Sequence, residues 1–426
     1  MLRGLYYKFS QGGTIIMSII LSKEQAEMLG KWRDFYWDME FNNVVPFWQK
    51  NSPDPEYGGF LTWVNRDGSL ISGDKSVWFQ GRGAWIFSHL YNTVKQDPQW
   101  LAIADSGIDF MEKHCFDKDG RMFFIVTRDG KPLRKRRYMF SETFAVVAMA
   151  ENALAHKDER KLKRAMEIFD AVVRRYYTPD ETTPPKGVGD TRPLKGHAMP
   201  MILLVTARIL RNAASNFAGY EEFCAKAGTM ITGFATEVVR DFYRPEFKCL
   251  IENVTPDGKF VDEPVGRIVN PGHAIETSWF LMDEARETGN EELKKNALAI
   301  LEGSLAIGWD KEYGGMMSFV DCKGYPVEPL EHDMKMWWPH NETLIATLTA
   351  FLVTNDNKWF DWHKKAFDYT MSHFPDKEFG EWYGYLHRDG TPSTQIKGSM
   401  WKGPFHIPRC LIKCATVIDE IMKEAK

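Results

Sequence analysis

Along most of the chain the apolar residues recur three and four apart, the spacing of one helix face, and seldom alternate as they would in a strand. Read this way, the sequence predicts helices near 22–50, 82–94, 98–115, 142–156, 159–177, 197–213, 219–241, 273–287, 291–308, 341–354, 357–374 and 406–423. Between the first and the last, they form five pairs of unequal polarity. One member is nearly free of charge, as in Ala145-Val146-Val147-Ala148-Met149-Ala150 and Met201-Ile202-Leu203-Leu204-Val205, which suits an inner position. Its partner carries runs such as Glu159-Arg160-Lys161-Leu162-Lys163-Arg164 and Glu291-Glu292-Leu293-Lys294-Lys295, the mark of a solvated outer face.

The breaks between pairs also repeat. Asn65-Arg66-Asp67-Gly68, Thr127-Arg128-Asp129-Gly130, Thr255-Pro256-Asp257-Gly258, Asp321-Cys322-Lys323-Gly324 and His387-Arg388-Asp389-Gly390 each end in a glycine that supplies the positive φ of a tight hairpin turn. Three copies begin alike, with Glu56-Tyr57-Gly58-Gly59, Glu312-Tyr313-Gly314-Gly315 and Glu378-Phe379-Gly380-Glu381. The turn glycines lie 62, 128, 66 and 66 residues apart, so the double step hides a sixth copy near residue 194, where the stretch from Gly187 to Gly196 replaces the hairpin. Six helical hairpins can close into a double-layered, all-α toroid with short β-hairpins along one rim. An open solenoid is the alternative, but its common helical repeats are shorter, about 33 to 47 residues.

Composition narrows the function. The repeat runs through the 426 residues without a linker, which predicts one domain from residue 17 to 426. Residues 1–16, ahead of a second methionine, read as an extension and lack the apolar stretch of a secretion signal. A formal charge of −4 and a pI near 6.3 argue against nucleic acid or an anionic membrane as main partner. The one basic run, Arg134-Lys135-Arg136-Arg137, reads as a solvated run. No apolar stretch is long enough to span a bilayer. The six cysteines, at 115, 224, 249, 322, 410 and 414, show no metal or disulfide spacing and read as reduced thiols in a cytoplasmic protein. Aromatic residues make up 14 per cent, and Trp78, Trp85, Trp279, Trp337, Trp338, Trp382 and Trp401 gather near the starts of the inner helices. Such faces suit the C–H faces of sugar rings, although core packing accounts for about half of them.

A polar residue follows each turn at nearly constant distance: Arg82, Glu142, His273, His340 and His406. Two of these stand in informative surroundings. Asn270-Pro271-Gly272-His273 puts a histidine at a helix entrance, with Glu276 one turn on to orient it. Lys402-Gly403-Pro404-Phe405-His406-Ile407-Pro408-Arg409 repeats the arrangement. A helix N-terminus disfavours imidazolium, so both histidines are expected to be neutral and able to accept a proton. Two copies apart in a ring of six, they stand about 120° apart around the mouth. Two bases reaching one carbon from different sides serve epimerisation next to a carbonyl. His340 reads as a cap or supporting group beside Glu342, and His197 is open between ligand contact and hydrogen-bonded structure. No metal-binding spacing, dinucleotide fingerprint or complete P-loop occurs; Glu331-His332-Asp333 reads as a solvated loop. The loop Lys397-Gly398-Ser399-Met400-Trp401-Lys402-Gly403 can approach a phosphate or simply join a hairpin to a helix.

From Met17 to the C-terminus the chain resembles the N-acylglucosamine 2-epimerase family. The most specific matches are Val77-Trp78-Phe79-Gln80-Gly81-Arg82, Phe140-Ser141-Glu142, Asn270 to Leu281, Lys335 to Glu342, Phe379 to Leu386 and Lys402 to Leu411. The resemblance implies an (α/α)6 barrel and reversible conversion of N-acetyl-D-glucosamine to N-acetyl-D-mannosamine through the ring-opened sugar, feeding or draining sialic acid metabolism. It implies His273 and His406 as acid/base groups, Arg82 and Glu342 as essential site residues, and tryptophans such as Trp338 as walls. No cofactor is implied for the chemistry. A nucleotide such as ATP is implied as effector, with Lys397, Gly398, Lys402 and Gly403 as the matching loop, and homodimers are common. Arg82 suits the oxyanion at O1, and Glu342 suits ring opening. Related cellobiose 2-epimerases and aldose-ketose isomerases carry a histidine in the region of His197, which keeps an unsubstituted sugar as the alternative substrate. Two other classes compete: a glycosidase using Glu142 and Glu342, and a binding scaffold indifferent to loss of either histidine.

Overall fold

The computed structural model describes residues 19–136, 138–185, 187–189 and 191–425; the expected extension at 1–16 and Arg137 of the basic run lie outside them. Among the described residues the α-helices are α1 (Lys23–Met39), α2 (Val45–Asn51), α3 (Val77–Thr93), α4 (Pro98–His114), α5 (Phe140–His156), α6 (Glu159–Tyr177), α7 (Ala198–Ala214), α8 (Glu221–Glu237), α9 (Pro264–Arg267), α10 (Pro271–Thr288), α11 (Glu291–Gly308), α12 (Trp337–Thr354), α13 (Asn357–His373) and α14 (His406–Glu424). A π-helical turn, Glu40–Val44, joins α1 to α2.

The inner ring is α3, α5, α7, α10, α12 and α14, with α4, α6, α8, α11 and α13 each packed outside its predecessor. The first helix, α1, packs outside α14, so the start of the chain completes the last pair. Polarity explains the sorting. Inner α5 and α12 are buried along almost their whole length, whereas outer α6 buries only Leu162, Ala165, Ile168, Phe169 and Val172. The links from inner to outer helix are short because the residues suit them: left-handed Lys157, Gly289 and Asn355 end three inner helices. Asp158, Asn290 and Asp356 then cap the next helix by accepting from its first-turn amides. Six inner and six outer helices make the expected (α/α)6 barrel.

Several inner helices begin earlier than their periodicity predicted: at Val77, Phe140, Pro271 and Trp337. At Ser76–Val77 and Met336–Trp337 an extended strand runs straight into the helix without a side-chain cap. Arg82 and Glu342 therefore stand in second turns rather than at helix entrances.

At the rim, the strand entering an inner helix pairs with the hairpin of the following copy. Lys75–Ser76 pairs with Phe123–Val126, Lys195–Gly196 with Asn253–Val254, Ile268–Val269 with Val320–Asp321 and Lys335–Met336 with Tyr385–Leu386. All five turn glycines have φ between 80° and 90°. Gly68, Gly130 and Gly390 close hairpins of their own, whereas Gly258 and Gly324 follow strands paired backward to the preceding copy.

A buried ion-pair motif ties these copies together. Asp54 meets Lys75 at 2.9 Å and accepts from Arg128 at 3.0 and 2.9 Å. Asp310 does the same with Lys335 and Arg388, and Asp376 with Lys397 and Arg66. The lysine belongs to the aspartate's own copy and the arginine to the next rim turn. For Asp376 the next turn is the first in the chain, so Arg66 closes the ring. Although burial opposes it, the facing arginine and lysine hold each aspartate well below the usual carboxylate range.

This motif corrects the phosphate reading of the 397–403 loop. Lys397 is fully buried against Asp376, and fully buried Lys402 pairs with Glu381. A Cβ on Gly398 would lie 2.4 Å from the Thr62 carbonyl oxygen, and one on Gly403 would lie 2.4 Å from the Phe79 ring. The loop is a strap across the seam between the last and first copies, and its ammonium groups face carboxylates.

Candidate active site

The inner ring encloses a cavity of about 1180 Å³ whose lining runs from the strand-bearing rim, at Ser318, Phe319 and Trp401, to Arg286, Glu287 and Glu420 at the far ends of the inner helices. Arg82, His273, Glu276, Trp338 and His406 line it, with Trp78, Trp401 and Phe405 among the aromatic walls. Glu342 and His197 do not line it; they lie behind the wall.

The start of α10 is built from its sequence. Asn270 caps the helix by accepting from the His273 amide at 3.1 Å, and Pro271 fills the first turn, where no N–H is needed. Gly272 lets Trp338 approach, since a Cβ there would lie 2.6 Å from its ring. Trp338 consequently stands between the histidines, its centroid 5.1 Å from the His273 ring and 5.9 Å from that of His406.

His273 Nδ1 is held at 3.1 and 3.3 Å by the two oxygens of Glu252, leaving Nε2 to the cavity. Glu252 had no role in the sequence reading. It was expected that Glu276 would orient His273, but Glu276 instead accepts from Arg409 at 2.7 Å. The expectation of two neutral histidines also needs correction. Burial opposes charge on His273, yet Glu252 outweighs it and raises the pKa above the ordinary 6.5.

His406 opens α14 and holds Nδ1 2.8 Å from Glu342 Oε1. Glu342 is fully enclosed and also accepts from Trp279 Nε1 at 2.8 Å and Arg409 at 2.5 Å. With those partners and no place on the cavity wall, it orients His406 and is not placed to open a sugar ring. Arg409 lies 3.2 Å from His406 Nδ1. Burial, followed by the nearby Arg409 and Arg82 charges, pushes His406 well below its ordinary pKa. Here neutrality arises as the sequence suggested, but from desolvation and guanidinium groups.

Arg82 reaches the cavity from the second turn of α3, donating to the Trp401 carbonyl at 3.0 Å. Its guanidinium lies 4.3 Å from the Phe144 ring centroid and 5.0 Å from that of Phe405. Burial lowers its pKa to about 9, and it keeps one buried N–H without a hydrogen-bond partner. A cation so poorly compensated suits an oxyanion.

The remaining candidates are structural. His197 is fully buried; its Nε2 lies 3.0 Å from Thr277 Oγ1 and its Nδ1 3.7 Å from Glu252. Burial lowers its pKa, and it makes no cavity contact that would choose between sugars. His340 is locked between the Met336 carbonyl and the Met316 amide. Glu142 accepts from Arg121 and the Met122 amide, and neither it nor Glu342 lines the cavity, so the glycosidase pair is not assembled there. Glu276, Glu342 and His406 bring donor atoms within 4.8 Å of one another, a spacing that can hold a metal. Arg409, bonded to both carboxylates, already supplies positive charge there.

The aromatic cavity of this helical toroid thus presents two carboxylate-bound histidines from different inner helices. The family model for N-acylglucosamine 2-epimerase (GlcNAc 2-epimerase) matches residues 59–410. N-acylglucosamine 2-epimerase from Bos taurus is 34% identical over 407 residues, covering 94% of each chain. The Homo sapiens protein of that name is 32% identical over 411 residues, 94% of this chain and 93% of its own. A solved cellobiose 2-epimerase from Spirochaeta thermophila superposes with a TM-score of 0.79 at 21% identity, covering 93% of this chain and 98% of its own. The chain belongs to the N-acylglucosamine 2-epimerase family and is an epimerase acting on carbohydrates.

Proposed function

We propose that the protein interconverts N-acetyl-D-glucosamine and N-acetyl-D-mannosamine by proton transfer at C2 of the ring-opened sugar, and so serves sialic acid metabolism. The single observation that carries the mechanism is the pair His273 and His406. Each is tied through Nδ1 to a carboxylate and offers Nε2 to the same cavity. With C1 an aldehyde, the C2 proton is acidic. One histidine removes it, the oxyanion at O1 rests against Arg82, and the other histidine returns a proton to the opposite face. Trp338 packs against the apolar side of the chain between them. The 34% and 32% identities to N-acylglucosamine 2-epimerases, against the more distant cellobiose 2-epimerases, support the N-acyl substrate over an unsubstituted sugar.

The test is incubation with N-acetylmannosamine in heavy water, followed by NMR. Appearance of N-acetylglucosamine carrying deuterium at C2 is expected. Turnover of mannose or cellobiose, with the N-acyl sugar inert, would overturn the substrate assignment.

A further inference from the structure

The histidines are alike in being bound to a carboxylate, but the carboxylates are not alike. Among the described residues Glu252 faces His273 and, at 3.7 Å, the buried His197; no lysine or arginine pairs with it. Its charge is compensated by the two imidazoles, His273 foremost. Glu342 already receives Arg409 and Trp279, and the Arg409 guanidinium also touches the His406 ring at Nδ1. The surroundings of each ring extend this difference. His406 is faced by Arg82 from α3, by Glu276 and His273 from α10, by Glu342 from α12 and by Arg409 on its own helix. His273 is faced by Glu252, Glu276, Glu342 and the neutral His197.

On the two-histidine reading above, we propose that the free enzyme rests with its mobile proton on His273 and with His406 bare, and that Glu252 and Arg409 are the positioning residues that set this state. The opposite shifts of the two imidazoles agree with the geometry. The steps balance. His406 Nε2 takes the C2 proton, the C–H electron pair forms the C1–C2 double bond, and the carbonyl pair moves onto O1. His273 Nε2–H then delivers its proton to the other face of C2 while the electrons return and the carbonyl re-forms. Turnover ends with His406 charged and His273 neutral, the inverse of the resting state. A proton must leave His406 and another reach His273 before the next turnover in the same direction.

This assignment fixes which limb of the pH profile belongs to which histidine. For the epimer whose C2–H faces His406, the acid limb of kcat/KM reports protonation of His406 and the alkaline limb reports loss of the proton from His273. Arg409→Met is expected to move the acid limb to higher pH, so that activity near pH 6 falls about tenfold more than at pH 8. Arg409→Lys, which keeps a positive charge, restores most of the limb. Glu252→Gln, close to isosteric, is expected to move the alkaline limb to lower pH. Exchange of C2 hydrogen by wild type in heavy water checks the underlying reading separately. Without it that reading fails and the inference with it. With exchange intact, profiles merely scaled down with both limbs in place, or limbs displaced the other way, would overturn the inference alone.

Discussion

Glu342 and His406 face each other from the second turn of α12 and the first turn of α14, with Oε1 2.8 Å from Nδ1. A carboxylate behind an imidazole fixes the tautomer and stabilises the charge that appears when Nε2 takes a proton. Glu342 does not reach the cavity wall, so its contribution belongs to the chemical step. Glu342→Gln is expected to lower kcat on the order of 10²- to 10⁴-fold with KM little changed. Steady-state kinetics check this; a raised KM with kcat intact would mean that Glu342 holds the sugar.

Ring closure makes a second prediction. Asp376 is buried between Lys397 and Arg66, the arginine contributed by the first rim turn of the chain. Asp376→Ala leaves the fully buried Lys397 ammonium without its carboxylate. Removing one partner of a buried pair costs about 3–5 kcal/mol. Denaturant titration should show the midpoint falling with the slope unchanged. Breaking the equivalent Asp54 clasp should cost a similar amount.

Glu40, in the π-helical turn, carries a third. Both its carboxyl oxygens are buried and have no hydrogen-bond partner among the described residues, and burial raises its pKa well above 4.5. For a carboxyl raised on folding, the native state binds the proton more tightly. Stability is therefore lost as pH rises from the unfolded value toward the folded one. Glu40→Gln removes the penalty. Thermal unfolding at pH 5 and at pH 8 should show the variant gaining over wild type, with the larger gain at pH 8.

The helical pairs were legible because a period near 3.6 and the contrast of charge between neighbours survive in the sequence. Their starts were less so: Ser76-Val77-Trp78 and Met336-Trp337 carry no side-chain cap, and the strand runs into the helix unannounced. His273, His406, Arg82, Glu276 and Trp338 were found from turn spacing, helix entrances and the family likeness, and all line one cavity. Glu252 was not, because it reaches His273 only through rim pairing: its carbonyl accepts from the His197 amide and its amide donates to Ile268. No periodicity marks such a position. Arg409 was in view one turn beyond His406, a spacing that predicts a shared face. Lys397 misled because a lysine beside a glycine suggests phosphate, although its place ahead of an inner helix matches Lys75 and Lys335, both of which lie against aspartates.

The central claim is that His273 and His406 work on opposite faces of one carbon. It is tested most directly by C2 hydrogen exchange in heavy water, followed for each epimer separately, in His273→Asn and His406→Asn. Both variants should lose epimerisation by on the order of 10³-fold or more. Each should still wash out the C2 hydrogen of one epimer, and the two variants should retain opposite epimers. Retained epimerisation in either variant, or exchange of the same epimer in both, would contradict the account.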